Sequence, residues 1–100
     1  MIFYHATPKR TLPTVLKSGL KPLSRGLLYL ARTPESAMEQ GLDAAWERGE
    51  EPLPELVVLQ ISGLEMDDLY GEREAWEMDE DIATKEEIPP SRISVVRSTS

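Results

Sequence analysis

Apolar and polar positions alternate along this chain in blocks, and each block points to one element. The opening Met1-Ile2-Phe3-Tyr4-His5 is apolar, aromatic and β-branched and breaks at Thr7-Pro8, which predicts a buried strand with His5 at its C-terminal end. Leu12, Val15 and Leu16 then recur at i, i+3 and i+4. With Thr11 as N-cap, Pro13 in the first turn and Gly19-Leu20 as a left-handed C-cap, they predict a short helix over about 11–18. Residues 21–26 form a basic, turn-rich loop, and Leu27-Leu28-Tyr29-Leu30-Ala31 is a second apolar strand, with Tyr29 facing opposite to Leu28 and Leu30.

Thr33-Pro34-Glu35 combines an N-cap, a proline at the first helical position and an acid in the first turn, a strong helix start. The helix is expected to run to about Arg48, where Gly49 ends it. Its expected inner stripe is Met38, Leu42, Ala45 and Trp46, and Glu35, Glu39, Asp43 and Glu47 recur every four residues as a solvent face serving solubility. Residues 50–55, with Pro52 and Pro54, are a stiff linker. The continuous apolar run Leu56-Val57-Val58-Leu59-Gln60-Ile61 predicts a central strand covered on both faces.

Periodicity then fails. Residues 64–81 scatter Met66, Leu69, Tyr70, Trp76 and Met78 among acids, an irregular acidic loop with at most one short strand near 75–78; Trp76 and Tyr70 there plug the loop onto the core or form a lid. Residues 82–88 are a further strand, Pro89-Pro90-Ser91 a rigid turn, and Ile93-Ser94-Val95-Val96 a closing strand. The order β-α-β-α-β-loop-β-β suits one small α+β domain over residues 1–100, with a mixed sheet and two helices.

Composition narrows the function classes. The chain has 100 residues, 40% hydrophobic and 29% charged, the mix of an ordinary globular domain. Cysteine is absent, which removes disulfides, thiolate zinc sites and cysteine nucleophiles. The single histidine, His5, removes any multi-histidine metal site, so no metal is expected. No apolar run approaches the ~18 residues of a membrane span and no leader precedes the first strand, so a cytoplasmic protein with no membrane partner is expected.

The net charge of −7 is unevenly spread. Residues 1–34 carry six cations and no acid, residues 35–64 sum to −6, residues 65–87 to −9, and the end returns +2. An anion site is therefore expected only in the first third, and an extended nucleic-acid groove is not. The same distribution also fits a fold in which a basic third simply pairs with an acidic one.

Four residues stand out for chemistry, each with a plainer alternative. His5 and Thr7 at a strand end offer an imidazole and a hydroxyl to a ligand, or are satisfied core polar groups. Tyr29 is a stacking platform or a core tyrosine. Arg25, beside Gly26, reaches a phosphate or is a surface cation.

Their order is familiar. Tyr4-His5-Ala6-Thr7, then Leu12, Val15-Leu16 and Gly19-Leu20-Lys21-Pro22, then Arg25-Gly26-Leu27-Leu28-Tyr29-Leu30-Ala31 resembles the opening of the ADP-ribosyltransferase superfamily. The likeness is to its small members, the catalytic lobe of RNA 2′-phosphotransferases and toxin-type ADP-ribosyltransferases. It covers residues 3–31 and, more loosely, 88–96, where Ile88-Pro89-Pro90-Ser91-Arg92-Ile93 looks like the connection before the last strand in several relatives. The resemblance implies an ADP-ribosyltransferase-like split mixed sheet and NAD as substrate. His5 and Thr7 would bind the nicotinamide-side ribose, the Ala6 backbone would approach the nicotinamide amide, Tyr29 would stack on the nicotinamide, and Arg25 would hold a phosphate. The third motif, a glutamate stabilising the oxocarbenium-like state, would fall at Glu80 or Asp81, with Glu86 and Glu87 as alternatives.

The departures are specific. Ala6 replaces a common glycine, Leu27 stands where phosphotransferases have histidine, and the basic lobe with which those enzymes grip RNA is not expected before residue 1. Two functions remain open from the sequence: an NAD- or ADP-ribose-binding domain that transfers ADP-ribose to an unidentified macromolecular acceptor, or a catalytically inactive relative whose acidic surface binds a basic protein partner.

Overall fold

A computed structural model describes residues 2–22, 28–65, 68–70 and 82–98. Its elements in chain order are β1 (Phe3–Pro8), a 3-10 turn (Lys9–Thr11), α1 (Leu12–Ser18), β2 (Leu28–Tyr29), α2 (Pro34–Glu47), β3 (Leu56–Ile61), β4 (Leu69–Tyr70), β5 (Ala83–Thr84), a 3-10 turn (Pro90–Arg92) and β6 (Ile93–Ser98). The α+β class holds. The sheet is split into two three-stranded parts, β1-β3-β6 and β2-β5-β4, but every described strand pair is antiparallel, which corrects the expectation of a mixed sheet. Each strand of the first part enters the sheet against the direction of its neighbour, so no parallel crossover is needed.

The two parts meet at one point. Tyr4 and Ala31 exchange both backbone hydrogen bonds at 2.8 Å, so the chain that leaves β2 touches β1 there. Phe3, Val57, Leu59 and Ile61 on one face of the first sheet join Leu28, Leu30, Ile82, Ile88 and Val15 in the main core. The opposite face places Val58 and Ala6 against Ala31, Ala37 and Met38, beneath α2. β3 is buried on both sides, as its unbroken apolar run requires.

Two further expectations change. The inner face of α2 keeps the expected Ala45 and the partly buried Met38 but adds Ala37 and Gly41, whereas Trp46 is 74% exposed. Large apolar residues do not fit here because a Cβ on Gly41 would lie 2.8 Å from the Ala6 Cβ; only small side chains at i, i+4 and i+8 allow the helix this close to the sheet. The expected strand over 82–88 shortens to Ala83–Thr84, since the buried Thr84 hydroxyl donates to the Asp68 carbonyl at 2.6 Å and accepts from the Glu86 amide at 3.1 Å. That local turn competes with strand pairing. Ile88 rejoins the fold through reciprocal bonds with Leu20 at 2.8 and 2.9 Å. Met1, the loop 23–27 and the segment 71–81, including the strand expected near 75–78, lie outside the described residues.

Candidate functional site

The first sheet is closed on one side of β1 by β3 and open on the other. Beyond the contact with Ala31, β2 pairs with β5 rather than with β1, and an open cleft of about 1010 Å³ is lined by residues of β1, α1 and α2. His5, Ala6, Thr7 and Tyr29 all line it. The sequence motifs separated by more than twenty residues therefore share one wall.

His5 is held by the carbonyl of Tyr29, 2.7 Å from its Nδ1. A carbonyl only accepts, so Nδ1 carries the proton and Nε2 is left with its lone pair. Burial pushes the imidazole pKa below its usual value, a trend the Tyr29 hydrogen bond partly opposes. The ring is therefore neutral at pH 7 and offers an acceptor to a ligand hydroxyl.

Thr7 is a second acceptor. Thr11 donates its single hydroxyl proton to the Pro8 carbonyl at 2.8 Å, so the 2.8 Å contact between the two threonine hydroxyls is donated by Thr7. That relay ties β1 to the following turn and takes the place of the N-cap bond expected of Thr11, whose side chain makes none. Thr7 retains only lone pairs for a partner.

Ala6 lies between them with the opposite backbone orientation. Tyr4 turns its amide and carbonyl to Ala31, and the alternation of an antiparallel strand points the amide and carbonyl of Ala6 to the same side, along the cleft. The Ala6 methyl, in contrast, packs under α2 against Gly41. The substitution of alanine for glycine therefore leaves the cleft-facing peptide unobstructed. Tyr29, 42% exposed, borders the cleft and faces opposite to the buried Leu28 and Leu30, as strand alternation predicts.

The other cleft wall was not legible as a site. Gln40, Asp43 and Glu47 of α2 border the cleft, and Thr14, Ser18 and Lys21 also line it. Asp43 and Glu47 keep the exposed positions expected of a solvent face and also border the cleft. The recurrence Ala37, Gly41, Ala45 is the sequence signal that marks the true packing face. Arg48, at the rim, is engaged by Glu50 at 3.0 and 2.6 Å, and Arg10 reaches the other Glu50 oxygen at 2.6 Å; the two guanidiniums hold the Glu50 carboxyl below its usual pKa.

Arg25, Glu80 and Asp81, as well as Trp76, lie outside the described residues. Glu86 and Glu87 are exposed and are not part of the cleft wall. Among the described residues no group of three His, Cys, Asp or Glu side chains is placed to hold a metal, and no helix is long and apolar enough to cross a membrane.

No protein-family model matches the chain. Over 38 residues it is 45% identical to a probable RNA 2′-phosphotransferase of Thermococcus kodakarensis, a match that covers 38% of this chain and 21% of that protein. The chain thus matches about a fifth of the length of that relative.

Proposed function

We propose that the cleft binds NAD or an ADP-ribose-like nucleotide and supports ADP-ribosyl transfer. One observation carries this reading: the neutral His5, its Nδ1 proton given to Tyr29, and the acceptor-only Thr7 flank an Ala6 peptide whose amide and carbonyl face the same cleft. A ribose hydroxyl donates to His5 and Thr7. A carboxamide, which is both donor and acceptor, complements the two groups of the Ala6 peptide. The exposed ring of Tyr29 offers a stacking surface to the attached pyridine, and Lys21, with Arg25 as a further candidate, supplies positive charge for the phosphates.

In the transfer, the bond between ribose C1′ and the nicotinamide nitrogen breaks and its electron pair leaves with nicotinamide. The positive charge that develops on the ribose is then taken up by an acceptor nucleophile, which forms the new bond at C1′ and loses its proton. An oxocarbenium-like state of this kind gains from a nearby carboxylate, a role proposed for Glu80 or Asp81. The partial similarity to a protein named as an RNA 2′-phosphotransferase supports a transferase of this group. The soluble, cytoplasmic setting expected from the sequence remains part of the same proposal.

Titration of the protein with NAD, followed by NMR, tests the reading. Shifts are expected at His5, Ala6 and Tyr29 in the native protein and are expected to vanish in His5→Ala. The absence of any shift at those residues at millimolar NAD would refute it.

A further inference from the structure

We propose that the outer flank of α2, formed by Asp43, Trp46 and Glu47 at the rim of the cleft, is a docking surface for an arginine- or lysine-bearing segment of a protein partner. Trp46 is 74% exposed on this flank, whereas its neighbour Ala45 is fully buried. An indole displayed in this way is a large apolar surface of the kind that anchors interfaces. Asp43 lies three residues before it and therefore beside it on the helix surface. Glu47 follows Asp43 by four, so two like charges sit one turn apart, an arrangement that disfavours the helix until a cation bridges them.

Neither carboxylate has such a cation within the described fold. The described ion pairs join Lys9 to Glu55 and both Arg10 and Arg48 to Glu50; Arg48, the arginine nearest in sequence, is thereby committed to Glu50. A guanidinium fits all three groups at once, with its face on the indole and its donors toward Asp43 or Glu47. A nucleic-acid backbone does not fit, because its phosphates would meet the same carboxylates. Docking on this flank requires no NAD. A segment held there lies beside the cleft, which Asp43 and Glu47 also border.

The experiment is an NMR titration, without NAD, of a short peptide of alternating arginine and glycine. A peptide of alternating glutamate and glycine and a short single-stranded RNA serve as the other arms. The arginine peptide is expected to shift the Trp46 indole N–H and the amides of residues 43–47, with affinity falling from low to high salt. Trp46→Ala and the double variant Asp43→Asn/Glu47→Gln, checked for unchanged folding by circular dichroism, are each expected to weaken it about tenfold or more. Equal affinity of the native protein and both variants, absence of binding, or RNA binding to this flank overturns the proposal. Because NAD is absent, a failed NAD titration and a failed peptide titration are separate outcomes.

Discussion

The methyl group of Ala6 occupies the space that any side chain at position 41 would need. A Cβ on Gly41 would stand 2.8 Å from the Ala6 Cβ and 3.0 Å from Leu56 Cδ1. This one contact sets how α2 rests on the first sheet, and so which helix residues reach the cleft.

Gly41→Ala is expected to destabilise the protein by about 1–3 kcal/mol, because the overpacking outweighs the helix propensity gained on replacing glycine. Ala6→Gly in the same chain is expected to restore part of the loss. Denaturant midpoints of the four proteins in the double-mutant cycle check this; strictly additive effects would show that the two sites do not share the space.

Gly19 is constrained more severely. Its φ is +84° and a Cβ there would lie 2.1 Å from the Ile88 carbonyl oxygen, the group that receives the Leu20 amide. Gly19→Ala combines backbone strain of about 1–3 kcal/mol with a collision against the backbone. The expected result is a large drop in melting temperature, with amide exchange at Leu20 and Ile88 accelerated before the rest of the core.

The relay Thr7 to Thr11 to Pro8 holds the end of β1 to the turn that follows. Thr11→Val keeps the shape and removes both bonds, leaving the largely buried Thr7 hydroxyl without its acceptor. A loss of about 1–3 kcal/mol is expected by chemical denaturation, together with a shift of the Thr7 resonances. Unchanged stability would show that the relay contributes nothing to the fold.

His5 makes stability and ligand binding depend on pH in the same direction. Its pKa in the folded protein lies below the ordinary value, so the unfolded chain takes up the proton first as pH falls. The contribution of the neutral ring is complete above the ordinary histidine pKa of about 6.5 and is lost as pH falls through that value toward the lower folded one. Unfolding free energies compared at neutral and mildly acidic pH are expected to fall less steeply for His5→Gln than for the native protein. NAD binding is expected to weaken over the same range, since protonated Nε2 no longer accepts.

The local grammar of the chain was readable in particular places. Thr33-Pro34 starts α2, and the Thr33 hydroxyl accepts from the Ser36 amide at 3.1 Å. The unbroken apolar run became β3, buried on both faces. The placement of Tyr29 followed from strand alternation alone. These features depend on neighbours in sequence, which is why residue order suffices for them.

What residue order did not contain was how close the elements come. Large apolar side chains suggested that Met38, Leu42 and Trp46 face inward with Ala45; Ala45 and, in part, Met38 do, but the approach of α2 to Ala6 adds Ala37 and Gly41 to the packing face and leaves Trp46 exposed. Sheet direction was likewise invisible, because both parallel and antiparallel pairing satisfy the same alternation of side chains.

By itself, then, the sequence determined most of the elements and the α+β class, since propensity, capping and alternation act over a few residues, while the grouping of His5, Ala6, Thr7 and Tyr29 came from the order of motifs that carries the family resemblance. Only the tertiary structure decided that His5 and Tyr29, twenty-four residues apart, share a hydrogen bond that leaves Nε2 an acceptor. It also decided that Ala6 sends its methyl to α2 and its peptide to the cleft, because both outcomes depend on distances between segments that are remote in the chain.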